Sequence, residues 1–188
     1  MTVVLSRVDE RLVHGQIITS WTKQLRVSDI YIIDDLIAHD DFMREVLILS
    51  APSGLKFQIL TVDEAAKVLE STSNGRIMLL FKTVDSALEL RKAGFNLESL
   101  NLGNIASSVK RKKITKNISL SEEEINKVKE LSSKGKSMRK IIDIYNAPLI
   151  SESSKIVYYV ILLFLKPTVK KEFCYLAWIY WDHTNDLT

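Results

Sequence analysis

Short apolar runs alternate along the chain with longer stretches whose apolar residues recur every three or four positions. Residues 2–5, 29–33 and 76–81 are nearly unbroken apolar runs. They are too short for helices and read as strands covered on both faces, as in a parallel sheet. Residues 55–60 and 97–102 have strand length as well, and a further strand is expected over 114–120. Ile17, Ile18, Trp21 and Leu25 share one helical face, so residues 15–25 are predicted helical, with Trp21 in the core rather than stacking on a substrate. Phe42, Met43, Val46, Leu47 and Leu49 form a second stripe, predicted buried, that Pro52 and Gly54 terminate. Val62, Ala65, Ala66 and Leu69 mark a third helix, Val84, Ala87 and Leu88 a fourth, and Ile125, Val128 and Leu131 a fifth.

Polar punctuation agrees with these elements. Thr61 with Glu64 and Ser121 with Glu124 have capping-box spacing. Thr83 suits a helix N-cap, as does Asp35, whereas Asp34 is left open between a cap and a site role. Regular strand–helix alternation implies right-handed crossovers and an α/β fold, a mostly parallel central sheet with helices on both faces, doubly wound.

From about residue 137 the pattern changes. Five of the six tyrosines, two of the three tryptophans and the one cysteine, Cys174, lie beyond it. Residues 156–165 are ten consecutive apolar residues, too few to cross a bilayer. Three readings compete: a buried strand with an appended helix, a membrane-surface element, and an altered reading frame beginning near residue 136. The last is favoured, and the sheet would then lack its last strand. The chain is read as a single domain, 1–188, with 137–188 as an atypical C-terminal segment.

Composition narrows the function class. A chain of 188 residues with 46% hydrophobic and 26% charged residues reads as one ordinary globular domain. A net charge of +3 does not call for a nucleic-acid partner. One cysteine excludes an internal disulfide framework and fits a reducing compartment. Early charges at Arg7, Asp9, Glu10 and Arg11 argue against a signal peptide, so a cytoplasmic location is expected. His39, beside Asp40 and Asp41, has no second His or Cys at ligand spacing and reads as solvent-facing, and no metal is expected. The run Lys110-Arg111-Lys112-Lys113 lacks interleaved aromatics and reads as a solvated face or docking edge.

The densest chemistry lies in Arg7-Val8-Asp9-Glu10-Arg11-Leu12-Val13-His14-Gly15-Gln16, between the first strand and the first helix. Open α/β folds place ligands on such loops. His14 has the character of a nucleophile near neutral pH. Arg7 and Arg11 offer forked donors matched to a phosphoryl group, and amides of the following helix would face the same anion. Asp9 is suited to hold an arginine or orient the imidazole. Gly15 lets the backbone approach whatever His14 carries. The same residue types also make ordinary surface ion pairs, so spacing by itself leaves both readings open.

This decapeptide resembles the active-site loop of the IIB subunits of the mannose/fructose/sorbose family of the bacterial sugar phosphotransferase system. Asp34-Asp35, Phe81-Lys82-Thr83 and Leu100-Asn101-Leu102-Gly103-Asn104 are similar to family landmarks at later strand ends, and the resemblance runs from about residue 1 to about 136. It implies that His14 accepts a phosphoryl group on Nδ1 from a phospho-IIA domain and passes it to a sugar bound by membrane IIC and IID subunits. Arg7, Arg11 and Asp9 are the implied catalytic companions, and Gly15, Gln16, Asp34, Lys82 and Thr83 the phosphoryl- or partner-binding set. No cofactor is implied, a homodimer is compatible, and the location would be the inner face of the plasma membrane, held through IIC and IID. Two rivals stand beside it. A receiver-like signalling domain would use an aspartate acceptor, but the acidic pair follows the wrong strand. A non-catalytic anion- or nucleic-acid-binding module lacks a glycine-rich phosphate loop.

Overall fold

The computed structural model describes residues 1–15, 21–51, 53–133 and 140–142. Among the described residues six parallel strands form the central sheet: β1 (Thr2–Val8), β2 (Asp29–Ile33), β3 (Lys56–Leu60), β4 (Arg76–Phe81), β5 (Ser99–Leu102) and β8 (Lys140–Ile142), in the order β3-β2-β4-β1-β5-β8. Lys112–Lys113 (β6) and Ser119–Leu120 (β7) form a separate antiparallel pair. The helices are α1 (Thr22–Gln24), α2 (Asp35–Ala38), α3 (Asp41–Leu49), α4 (Val62–Ser71), α5 (Val84–Lys92) and α6 (Glu122–Ser133).

Strand order dictates which face each helix covers. The chain steps from β1 outward to β2 and β3, then returns to β4 and crosses β1 to β5. Right-handed crossovers in opposite directions lie on opposite faces of the sheet. The core is accordingly split in two. Ile30, Ile32, Met78 and Leu80 meet Ile37, Ala38 and Leu47 of α2 and α3 on one face. Tyr31, Ile33, Leu79 and Phe81 meet Ala65, Leu69, Ala87, Leu90, Val128 and Leu131 of α4, α5 and α6 on the other. Successive strand residues thus feed alternate cores, which is why these runs carry no polar alternation.

Several expectations require correction. β1 extends through Val8, so Arg7 belongs to the strand rather than to the loop. The cap of α2 is Asp34, whose Oδ1 accepts from the Ile37 amide at 3.0 Å, while Asp35 opens the helix and accepts from the Val62 amide at 2.7 Å. The predicted stripe of α3 is mostly on the surface: Leu47 is buried, but Phe42 is 72% and Leu49 86% exposed. Two apolar faces compete on that helix, and only the one containing Leu47 meets the sheet. Residues 114–120 give a two-residue strand rather than a long one. A sixth strand, β8, pairs with β5 through Ser99–Lys140, Leu100–Ile141 and Asn101–Ile142, so the atypical segment does extend the sheet. Gln16, Ile17, Ile18, Pro52 and residues 143–188, including the apolar tract, lie outside the described residues. Among the described residues no helix is long and apolar enough to cross a membrane.

Candidate active site

β1 is flanked by β4 and β5 where the strand order reverses, and its C-terminal end opens the crevice in which such sheets bind ligands. Three backbone bonds fix the chain there. The Asp9 amide donates to the Phe81 carbonyl at 2.9 Å, Gly103 to Val8 at 2.7 Å, and Glu10 to Asn104 at 2.9 Å. The loop carrying His14 therefore starts from a rigid base between two strand ends.

Strand alternation turns Arg7 and Asp9 to the face opposite Val8. Asp9, with 0% of its surface exposed, is the hub. Arg7 Nε and Nη2 donate to Asp9 Oδ2 at 3.1 and 2.7 Å. The Arg11 amide and Nε donate to Asp9 Oδ1 at 3.1 and 3.3 Å. Burial by itself would push the Asp9 carboxyl up, but the Arg7 charge and the hydrogen bonds from both arginines outweigh it and hold it below the ordinary carboxylate range.

The two arginines sit in different surroundings. Arg7 is buried, its Nη1 donates to Asn101 Oδ1, and its guanidinium lies 5.9 Å from the centre of the Trp21 ring. Asn101 is its register partner on β5. A Cβ at Gly103 would collide with the Arg7 guanidinium, so any side chain there would push that group out of its present place. Arg11 keeps 47% of its side chain exposed. Arg7 is thus turned away from solvent, and Arg11 faces it.

Leu12 adopts a left-handed backbone (φ 52°) that non-glycine residues rarely take. Its side chain is buried in the core on the α2–α3 face, and its amide donates to the Asp9 carbonyl at 2.9 Å. His14 follows two residues on and is half-buried. The ring's Nδ1 lies 2.9 Å from the Leu12 carbonyl. A carbonyl only accepts, so the bond puts the proton on Nδ1 and leaves the lone pair on Nε2. A Cβ at Gly15 would meet nothing within 4 Å, so internal crowding does not demand this glycine.

The remaining predicted site residues distribute around the rim. Lys82, exposed, follows the Phe81 carbonyl that holds Asp9. Thr83 caps α5 by accepting from the Ser86 amide. Asp34 is buried and committed to the α2 cap. Gln16 is outside the described residues. His39 is exposed as expected, with Nδ1 against the Asp35 carbonyl, and no metal-ligand cluster occurs among the described residues.

Sequence reasoning named Asn101 and Gly103 as family landmarks, Glu10 as part of the decapeptide and Arg111 within the basic run, but assigned none of them its place around Arg7 or the loop. Asn101 carried a signal, a polar residue between Leu100 and Leu102 in an apolar strand. Arg111 was hidden in a charge run, yet it donates to Glu10 and to Glu124 at 2.6 Å each.

Comparison with known proteins identifies the family of this fold. Residues 3–155 match the family described as the sorbose subfamily IIB component of the phosphotransferase system, further along the chain than residue 136. The fructose-specific EIIB component of Bacillus subtilis (strain 168) is 38% identical over 138 residues, covering 72% of this chain and 84% of that protein. The mannose-specific EIIAB component of Escherichia coli (strain K12) is 31% identical over 137 residues, 72% of this chain and 42% of that one. A crystal structure of manxB from Thermoanaerobacter tengcongensis superposes with a TM-score of 0.70 at 33% identity, over 78% of this chain and 89% of that chain. With a family match over most of its length, and an arginine–aspartate–histidine loop at the switch point of its sheet, the chain belongs to the sorbose-subfamily IIB components, phosphoryl-carrying subunits of the sugar phosphotransferase system.

Proposed function

We propose that His14 is the residue that carries the phosphoryl group, with Arg11 as the group that meets it and Arg7 as a positioning residue. The observation that carries this reading is the division of labour on Asp9. Arg7 is buried and fully engaged, whereas Arg11 reaches the same carboxylate from solvent. Arg7 neutralises Asp9 permanently, so Arg11 is able to exchange that carboxylate for an incoming phosphoryl group without leaving a buried charge bare. This replaces the expectation of two equivalent forked ligands.

The donor is a phosphohistidine on a IIA domain, and the acceptor is a sugar held by membrane IIC and IID subunits. In the first transfer the N–P bond of the donor histidine breaks as an N–P bond to His14 forms, in line and with charge spread over donors. In the second, the His14 N–P bond breaks and the sugar hydroxyl oxygen takes the phosphoryl group while releasing its proton. Loading at Nδ1, which the family resemblance implies, requires the ring to leave the Leu12 carbonyl and move its proton to Nε2. Lys82 and the rim around Thr83 offer donors to the phosphoryl group or the partner. The protein works in the cytoplasm, docking on the membrane subunits, and the whole chain acts as one IIB-type unit with a divergent end. The comparisons lend no support to a receiver-like or nucleic-acid-binding module.

The test is intact-mass analysis after incubation with phosphoenolpyruvate, the general phosphotransferase proteins and a IIA domain. One acid-labile phosphoryl group is expected on the parent and none on folded His14→Ala. An adduct that persists in His14→Ala, or none on a folded parent, refutes the assignment.

A further inference from the structure

The His14 loop is gripped from behind as well as from the strand side. Glu10, between Asp9 and Arg11, takes no part in the Asp9 cluster. Its carboxylate accepts from the Ala106 amide at 2.9 Å and from Arg111 Nη1 at 2.6 Å. Arg111 Nη1 also donates to the Ala106 carbonyl at 3.0 Å. The other edge of the guanidinium makes a two-point contact with Glu124, Nη2 to Oε1 at 2.6 Å and Nε to Oε2 at 3.0 Å. Glu124 is itself fixed by the capping box of α6, accepting from the Ser121 amide at 2.8 Å and donating its own amide to Ser121 Oγ at 3.1 Å.

The two ends of this strut differ in rigidity. α6 is anchored by Val128 and Leu131, both in the core. The loop is irregular, with a left-handed leucine, and relies on side chains for its shape. A forked, charge-assisted contact fixes direction as well as distance. The rigid end therefore adds a hold on the Glu10 carboxylate to the hold of its amide on the Asn104 carbonyl, and Glu10 is one residue from Arg11. All three side chains are largely shielded from solvent, which preserves the strength of the contact against salt. The neighbouring Lys110, Lys112 and Lys113 are exposed, and Lys112 pairs only with exposed Glu122.

We propose that Arg111 is a positioning residue for phosphoryl transfer: it clamps Glu10 to the capped end of α6, so that Arg11 and His14 hold the separation the transfer needs. This rests on the phosphocarrier reading of His14. It assigns one member of the basic run a role distinct from its lysine neighbours, and predicts that the clamp acts on rate rather than on partner affinity.

The experiment measures single-turnover loading of His14 against the concentration of phosphorylated IIA domain, in the full chain. Parent, Arg111→Gln, Arg111→Lys, Glu10→Gln, the Arg111→Gln/Glu10→Gln double variant and Lys110→Gln are compared, each with a thermal unfolding curve. Glu10→Gln keeps the Arg111–Glu124 pair and removes only the charge and one of the two acceptors that tie the loop to Arg111 and Ala106, so it serves if Arg111→Gln fails to fold. The limiting rate should fall on the order of tenfold in Arg111→Gln and in Glu10→Gln, since small misplacements near a transfer centre are costly. The half-saturating IIA concentration should stay within about twofold, a split that mere loss of fold does not produce. The double variant should be no slower than the slower single variant, Lys110→Gln should match the parent, and Arg111→Lys should recover part of the rate. An unchanged limiting rate in folded Arg111→Gln or Glu10→Gln overturns the proposal. So does a rise in half-saturating concentration with an unchanged limiting rate, which would make Arg111 a docking contact. A parent that takes no phosphoryl group refutes the phosphocarrier reading instead.

Discussion

Arg7 and Arg11 share one carboxylate, yet substitution should separate them. Replacing Arg7 with Gln removes a buried partner of Asp9, so it should cost on the order of 3 kcal/mol of stability, read as a lowered denaturant midpoint. Replacing Arg11 with Gln removes a half-exposed contact and should leave the midpoint near the parent's. Its phosphoryl loading rate should nevertheless fall between about a hundredfold and a thousandfold, the scale of losing one donor to transition-state charge. Equal stability losses in the two variants would contradict this division. Residue types and spacing pointed to both arginines, but not to their difference, because burial of Arg7 depends on Asn101 and Gly103, more than ninety positions away.

The elements were legible where the signal is local. β2 and β4 begin and end where their apolar runs do, and both capping boxes form as spaced. α3 shows where such reading stops. An apolar stripe at helical spacing says that a face is apolar, and not that anything covers it. Phe42→Ser and Leu49→Ser should therefore change unfolding free energy by no more than about 0.5 kcal/mol, as expected of surface positions. Leu47→Ala should cost about 2–5 kcal/mol by emptying a core position. Chemical denaturation of the three variants checks this, and a large loss at Phe42 would mean that this face is buried in the folded protein. Helix α2 was misjudged by one residue at its cap because Asp34 and Asp35 are equally good capping types. The backbone decided, with Asp34 extended and Asp35 helical and tied instead to the start of α4.

Across the whole molecule, buried and hydrogen-bonded carboxylates link the site to stability in acid. The Asp9 carboxyl lies below its ordinary value of 3.8, and Glu124 is likewise lowered, because hydrogen bonds from Arg111 and Ser121 outweigh burial. A carboxylate whose folded pKa is depressed stabilises fully above its unfolded pKa, and that contribution is lost as pH falls through the folded value. Stability should thus hold from neutral pH to about pH 5 and then decline through and below the ordinary carboxylate range. The advantage of the parent over Asp9→Asn, measured as unfolding temperature, should shrink as the pH is lowered from 7 to 3. A constant gap would show that Asp9 is not held as a carboxylate by the arginines.

Sequence alone determined the fold class, the alternation of β1 to β5 with helices along the chain, and the family, and it pointed to the loop on which the phosphocarrier proposal rests. Those features reside in local periodicity, capping and a contiguous motif, which neighbouring residues specify among themselves. Only the tertiary structure decided that Arg7 turns inward while Arg11 faces solvent, that Arg111 braces Glu10 rather than joining a solvated face, that most of the α3 stripe is exposed, and that a further strand, β8, pairs with β5. Each of these depends on which distant groups a side chain meets, and on whether a buried charge finds a partner there. Such pairing is set by strand order and register, and no spacing along the chain encodes it.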